Sequence, residues 1–150
     1  MPDSAPALSA GAHTDFGSLT VLFNNIGGLQ VYFQDQWEWV PPREGCAIIN
    51  LGDAMVRFTD GLFKSATHRV AKPPGEQNAF ERWSVVYFER PNDDVRMGPL
   101  VGENKGGEEN YPTTKEWIER RVLGGKIAHY KGEKEYLKGR GTEAGLELEK

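Results

Sequence analysis

The stretch LTVLFNNIGGLQVYFQDQWEWV, residues 19–40, decides the fold class. Leu19–Asn24, Leu29–Phe33 and Trp37–Val40 are short runs rich in Val, Phe, Tyr and Trp, bounded by turn formers. Between them, Ile26-Gly27-Gly28 and Gln34-Asp35-Gln36 suit hairpin connections. Working outward, Ala47–Leu51, Met55–Thr59, Ala66–Ala71 and Trp83–Glu89 repeat the pattern and are expected as further strands. No helix intervenes among them, which favours an antiparallel sandwich or barrel over a parallel α/β sheet.

The flanks read differently. Residues 1–12 are small and polar and are expected as a lead-in without a core of its own. Lys72–Phe80 is a polar Pro/Gly loop, and Asn92–Asn110 an irregular, Gly-rich connector. Thr113 or Thr114 is expected to cap a helix that runs through Trp117, Ile118 and Val122 and stops near Gly124-Gly125. Lys131–Lys150 is a charged, Gly-broken tail, so 92–150 divides into connector, C-terminal helix and tail.

At 150 residues the chain has room for one sizeable core, and 38% hydrophobic with 27% charged residues is a globular composition. A formal charge of −4 argues against a nucleic-acid partner. No stretch has the length of a membrane span, and the N-terminus lacks the regions of a signal peptide. Cys46 is the only cysteine, which fits a reducing compartment, so a cytoplasmic protein is expected.

His13-Thr14-Asp15 sets two metal-ligand types at i and i+2, and in an extended segment alternate side chains project to one face. A third ligand must come from elsewhere. His68 lies in the strand-like run KSATHRVA, whereas His129 sits in the polar C-terminal region and reads as solvent-exposed. Two imidazoles and one carboxylate leave positions open on the ion, the arrangement of iron(II) oxygenases. Singly these motifs are common, and an isolated histidine is more often a core or surface residue.

Arg82-Trp83-Ser84 opens the run RWSVVYFERP. Alternation sets Arg82, Ser84, Val86 and Phe88 on one face and Trp83, Val85 and Tyr87 on the other. An arginine turned into an apolar barrel demands an anion, which its planar guanidinium grips in two parallel hydrogen bonds. Parity alone leaves open which face is inside.

Taken together, HTDFGSLTVLF (13–23), GGLQVYFQDQWEWVPP (27–42), AIINLGDAMVRFTDGLFKSATHRVA (47–71) and RWSVVYFERP (82–91) resemble the iron(II)- and 2-oxoglutarate-dependent oxygenases. That family includes isopenicillin N synthase and the plant flavonoid and gibberellin oxidases. The order is kept, with His68 following Asp15 by 53 residues and Arg82 following His68 by 14. The resemblance implies a mainly β double-stranded β-helix, or jelly roll, with residues 13–91 as its oxygenase core. By the same resemblance His13, Asp15 and His68 would ligate iron(II), Arg82 and Ser84 would hold the distal carboxylate of 2-oxoglutarate, and Phe88 would line the substrate pocket. Dioxygen would be the oxidant and a small-molecule metabolite the substrate.

Relatives of this kind carry N-terminal helices and a first barrel strand ahead of the HxD, where this chain has twelve residues. Residues 1–150 are therefore expected to be a C-terminal catalytic portion, with Trp83, Val85 and Tyr87 partly bare and a sheet face or edge open to association. Three rivals stand beside the 2-oxoglutarate reading. They are a same-fold iron oxidase that does not use 2-oxoglutarate, a truncated inactive remnant that binds metal, and a cupin-like module using zinc or manganese.

Overall fold

Gln34 and Asp35 both take positive φ, 48° and 62°, as the two central residues of a tight hairpin must. That turn joins β3 (Leu29–Phe33) to β4 (Gln36–Trp39), with Phe33 opposite Gln36. The computed structural model describes residues 8–101 and 107–124, which form seven strands and two α-helices. The others are β1 (Leu8–His13), β2 (Leu19–Asn24), β5 (Ile48–Leu51), β6 (His68–Ala71) and β7 (Ser84–Glu89), with helices α1 (Asp53–Phe58) and α2 (Thr114–Gly124). Residues 1–7, His129 and the expected charged tail lie outside the described residues.

The strands form two antiparallel sheets, ordered β1-β6-β3-β4 and β5-β2-β7. Rolled face to face they make a jelly roll, as expected, with the strand ends shifted by one or two residues.

Two segments differ from expectation. Leu8–His13, inside the expected lead-in, is strand β1 and pairs with β6 through Leu8–Ala71, Ala10–Val70 and His13–His68. Its residues, LSAGAH, have no apolar alternation, so backbone pairing to β6 creates the strand. Met55–Thr59, expected as a strand, instead forms the end of helix α1 and its C-cap. A tertiary anchor overrides propensity there, because the amides of Gly52, Asp53 and Ala54 donate to the carbonyls of Ser18, Asp15 and Gly17 at 3.0, 2.7 and 3.1 Å. The loop after β1 thus satisfies the orphan donors at the start of α1. Gly52 permits this approach: a Cβ there would sit 2.2 Å from the Gly17 carbonyl oxygen.

The buried core sits beside the roll. Ala54 and Phe58 of α1, Met97 of the connector and Trp117 of α2 pack together, with Met55, Val95 and Ile118 around them. Helix α2 starts at a capping box, as Thr113 and Thr114 suggested. The Glu116 amide donates to Thr113 Oγ1 at 3.2 Å, and Glu116 Oε2 accepts from the Thr113 amide at 2.8 Å. Those Thr113 hydrogen bonds hold the Glu116 carboxyl below its ordinary pKa. The Trp117 indole donates to the Phe16 carbonyl at 3.4 Å, tying α2 to the loop after β1.

On the outer face of the second sheet Phe23, Ile49, Trp83, Val85 and Tyr87 are exposed. Among the described residues no helix is long and apolar enough to cross a membrane.

Candidate metal centre

Register builds the site. His13 and His68 face each other across the β1–β6 pair, so their rings stand beside one another, centroids 4.3 Å apart. Each ring is held in the same way. His13 Nδ1 lies 2.7 Å from the Gly11 carbonyl, and His68 Nδ1 lies 2.9 Å from the Ala66 carbonyl. A carbonyl only accepts, so both rings carry their proton on Nδ1 and present the lone pair of Nε2 to the site.

Asp15 lies just past the end of β1 and is 7% exposed. Its Oδ1 stands 3.8 Å from His13 Nε2 and 3.7 Å from His68 Nε2. Its Oδ2 accepts from Thr20 Oγ1 at 2.6 Å and from Asn50 Nδ2 at 2.8 Å. Thr20 and Asn50 are themselves opposite one another on β2 and β5 of the second sheet. The histidines come from one sheet, and the carboxylate is clamped by the other. One oxygen is committed to the protein, and the other faces the imidazoles.

The donor atoms of the three residues all lie within 4.8 Å of one another. An ion bonded at roughly 2.0–2.2 Å to nitrogen and oxygen spans such carboxylate–imidazole separations without rebuilding the strands. Imidazole and carboxylate together suit iron(II), although affinity alone does not choose it over other divalent ions. The donors present therefore fit a single first-row metal with coordination positions left over.

The space between the sheets is a cavity of about 400 Å³, lined by His13, Asp15 and His68, by Arg82, Ser84, Val86 and Phe88, and otherwise mostly by aliphatic side chains. This answers the parity question: the face carrying Arg82 and Ser84 looks inward. Arg82 Nε donates to the Gly27 carbonyl at 2.9 Å, and its Nη1 lies 3.4 Å from Ser84 Oγ. Gly28, at φ 114°, makes room, since a Cβ there would lie 3.0 Å from Arg82 Nε. Burial lowers the guanidinium pKa from the ordinary arginine value. A partly desolvated cation facing a mostly apolar cavity suits an anionic ligand.

Three residues around the candidate centre were not among the site residues expected from sequence. Thr20 and Asn50 are polar side chains at inward positions of apolar strands, which is the signal that would have found them. Asp53 is fully buried at the start of α1. It accepts from Thr14 Oγ1 at 2.9 Å, from Ser65 Oγ, and from Arg121 Nη2 of α2 at 2.6 Å. It therefore links the residue between His13 and Asp15, the loop leading to His68 and the C-terminal helix.

Asn50→Ala removes one of the two donors that aim Asp15. Metal affinity is expected to fall roughly 10- to 100-fold, as for other outer partners of ligating carboxylates, while the fold persists. Metal competition titration with a chromophoric chelator reads this directly.

Comparison with known proteins agrees with the geometry. Residues 1–91 match the model of the 2OG-Fe(II) oxygenase superfamily. The chain is 40% identical over 126 residues to 2-oxoglutarate-dependent dioxygenase citB of Monascus ruber, covering 79% of this chain and 37% of that protein. It is 37% identical over 122 residues to clavatol oxidase claD of Penicillium crustosum, covering 77% of this chain and 34% of that protein. Among solved structures, a full-length Neurospora crassa protein in complex with alpha-KG and thymine superposes with a TM-score of 0.62 at 32% identity, over 77% of this chain and 37% of that chain. The chain thus spans little more than a third of the length of these relatives. Fold, donor set and family match converge, and the chain belongs to the 2OG-Fe(II) oxygenase superfamily.

Proposed function

We propose that this chain is the catalytic portion of an iron(II)- and 2-oxoglutarate-dependent dioxygenase that oxidises a small-molecule metabolite by hydroxylation, desaturation or ring formation. The observation that carries this reading is the convergence of His13, Asp15 and His68 at a cavity that is also lined by Arg82. Relatives named as 2-oxoglutarate-dependent dioxygenases, and a neighbour crystallised with alpha-KG and thymine, support it.

In this reading His13, Asp15 and His68 hold iron(II), and Arg82 with Ser84 takes the distal carboxylate of 2-oxoglutarate. Bound together, metal and co-substrate supply the oxidising chemistry: dioxygen and 2-oxoglutarate are consumed, and succinate and carbon dioxide leave. The chain's own residues do the rest. Nδ1 hydrogen bonds keep both imidazoles oriented, Thr20 and Asn50 hold one oxygen of Asp15 away from the imidazoles, and Leu22, Val31, Val70 and Val86 give the cavity an apolar lining. Phe88 is the proposed contact to the molecule being oxidised.

The exposed Cys46 is in keeping with a reducing, cytoplasmic setting. The bare outer face of the second sheet, with β7 at its edge, is where a further segment or partner would associate.

Anaerobic titration of the iron-loaded chain with 2-oxoglutarate tests the reading through the visible charge-transfer band of the chelate. The band is expected to appear and saturate at one equivalent, and its absence would reject the assignment. Arg82→Ala removes charge-assisted hydrogen bonds worth roughly 1.5–3 kcal/mol each, so the same titration should saturate about 10-fold or more later, with iron content unchanged.

A further inference from the structure

A second cavity of about 260 Å³ lies against the candidate metal centre. His13, Asp15 and Phe88 line both spaces, and Thr14, Phe16, Gly17 and Arg90 complete the second one. Arg82 lies only in the first. Strand β7 therefore carries a cation on either side of the centre, one before Ser84 and one just after Glu89.

Arg90 is held beside the site by backbone. The amide and hydroxyl of Ser18 both donate to the Glu89 carbonyl, at 2.9 and 3.0 Å. Gly17 lets the strands meet, since a Cβ there would fall 2.5 Å from that same oxygen. Phe88 is opposite Thr20, the residue that clamps Asp15, and Arg90 follows two residues later, roughly 7 Å further along the chain. Its guanidinium lies over the Phe16 ring, 5.2 Å from the centroid. A cation–π contact of this kind holds the guanidinium beside the ring, and its N–H groups can still bind a planar anion. Among the described residues no carboxylate pairs with Arg90.

We propose that Arg90 and Phe16 form the recognition subsite for the molecule to be oxidised, and that this molecule is a small carboxylate with a flat aromatic or apolar body. The inference rests on the proposed function, which assigns the first cavity to 2-oxoglutarate. Arg90 grips the carboxylate edge-on, Phe16 and Phe88 flank the body, and the far end of the molecule reaches the metal centre. A carboxylate at this position is oriented by charge, so its amide, equal in shape, loses most of the binding.

The test uses the full chain loaded with redox-inert zinc and saturated with N-oxalylglycine, an unreactive 2-oxoglutarate analogue. Benzoate and benzamide are titrated by ligand-observed NMR against wild type and Arg90→Gln. Benzoate is expected to bind wild type at least tenfold tighter than benzamide. Arg90→Gln should erase that preference and leave N-oxalylglycine affinity and the melting temperature unchanged, since Arg90 is exposed. Equal binding of the two probes to wild type overturns the proposal, as does a preference that survives Arg90→Gln. Displacement of N-oxalylglycine by benzoate also overturns it, because the carboxylate would then sit at Arg82. Failure of N-oxalylglycine to bind would strike the proposed function instead, and the wild-type and Arg90→Gln comparison still reads on the zinc-loaded chain.

Discussion

His68→Ala should leave the chain unable to retain iron. The two donors left, His13 Nε2 and Asp15 Oδ1, stand 3.8 Å apart on the loop and strand end of one segment, and nothing from β6 closes the other side. A metal site with three protein donors loses most of its affinity when one is removed, because the remaining pair no longer encloses the ion. His68 is half-buried at a strand position, so alanine there preserves the β1–β6 pairing and the fold. Metal analysis after desalting should give one iron per wild-type chain and close to none per variant, with unchanged circular dichroism. Full iron retention would show that residue 68 is not a ligand.

Asp53→Ala should be the most destabilising single substitution near the centre. It removes the carboxylate that meets Arg121 at 2.6 Å, where both side chains are almost wholly buried. Breaking one partner of a buried pair costs roughly 3–5 kcal/mol, since a desolvated charge loses its counter-charge. For a chain of this size that lowers the melting temperature by on the order of 10 °C. Thr14 and Ser65 lose their acceptor at the same time, so metal affinity should fall with stability. The double variant D53A/R121M removes the buried charge as well, and is expected to regain part of the loss. A shift of under about 2 °C for Asp53→Ala would mean that the pair contributes little.

Much of this was legible in the sequence, and the exceptions have physical causes. The β2, β3 and β7 runs are short, rich in β-branched and aromatic residues and bounded by turn formers, so the strands were readable, as was the grouping of side chains around Arg82 into two faces. The pattern fails where tertiary contacts choose the structure. LSAGAH lacks apolar alternation and becomes β1 because β6 offers it an edge. MVRFT (55–59) reads as extended by local composition, yet loop carbonyls cap its N-terminal side into α1. That His13, Asp15 and His68 come together was readable from chemistry and order. Asp53 and Arg121 could not be paired, because they are 68 residues apart and Arg120 beside Arg121 is indistinguishable in composition. What ties the C-terminal helix to the metal centre is visible only in three dimensions.

X-ray absorption at the iron edge of the anaerobically loaded chain tests the central claim most directly. The scattering should require two imidazole rings per iron, with oxygen donors completing the shell. A best fit with one imidazole or none, or with a sulfur donor, would contradict a centre built from His13, Asp15 and His68.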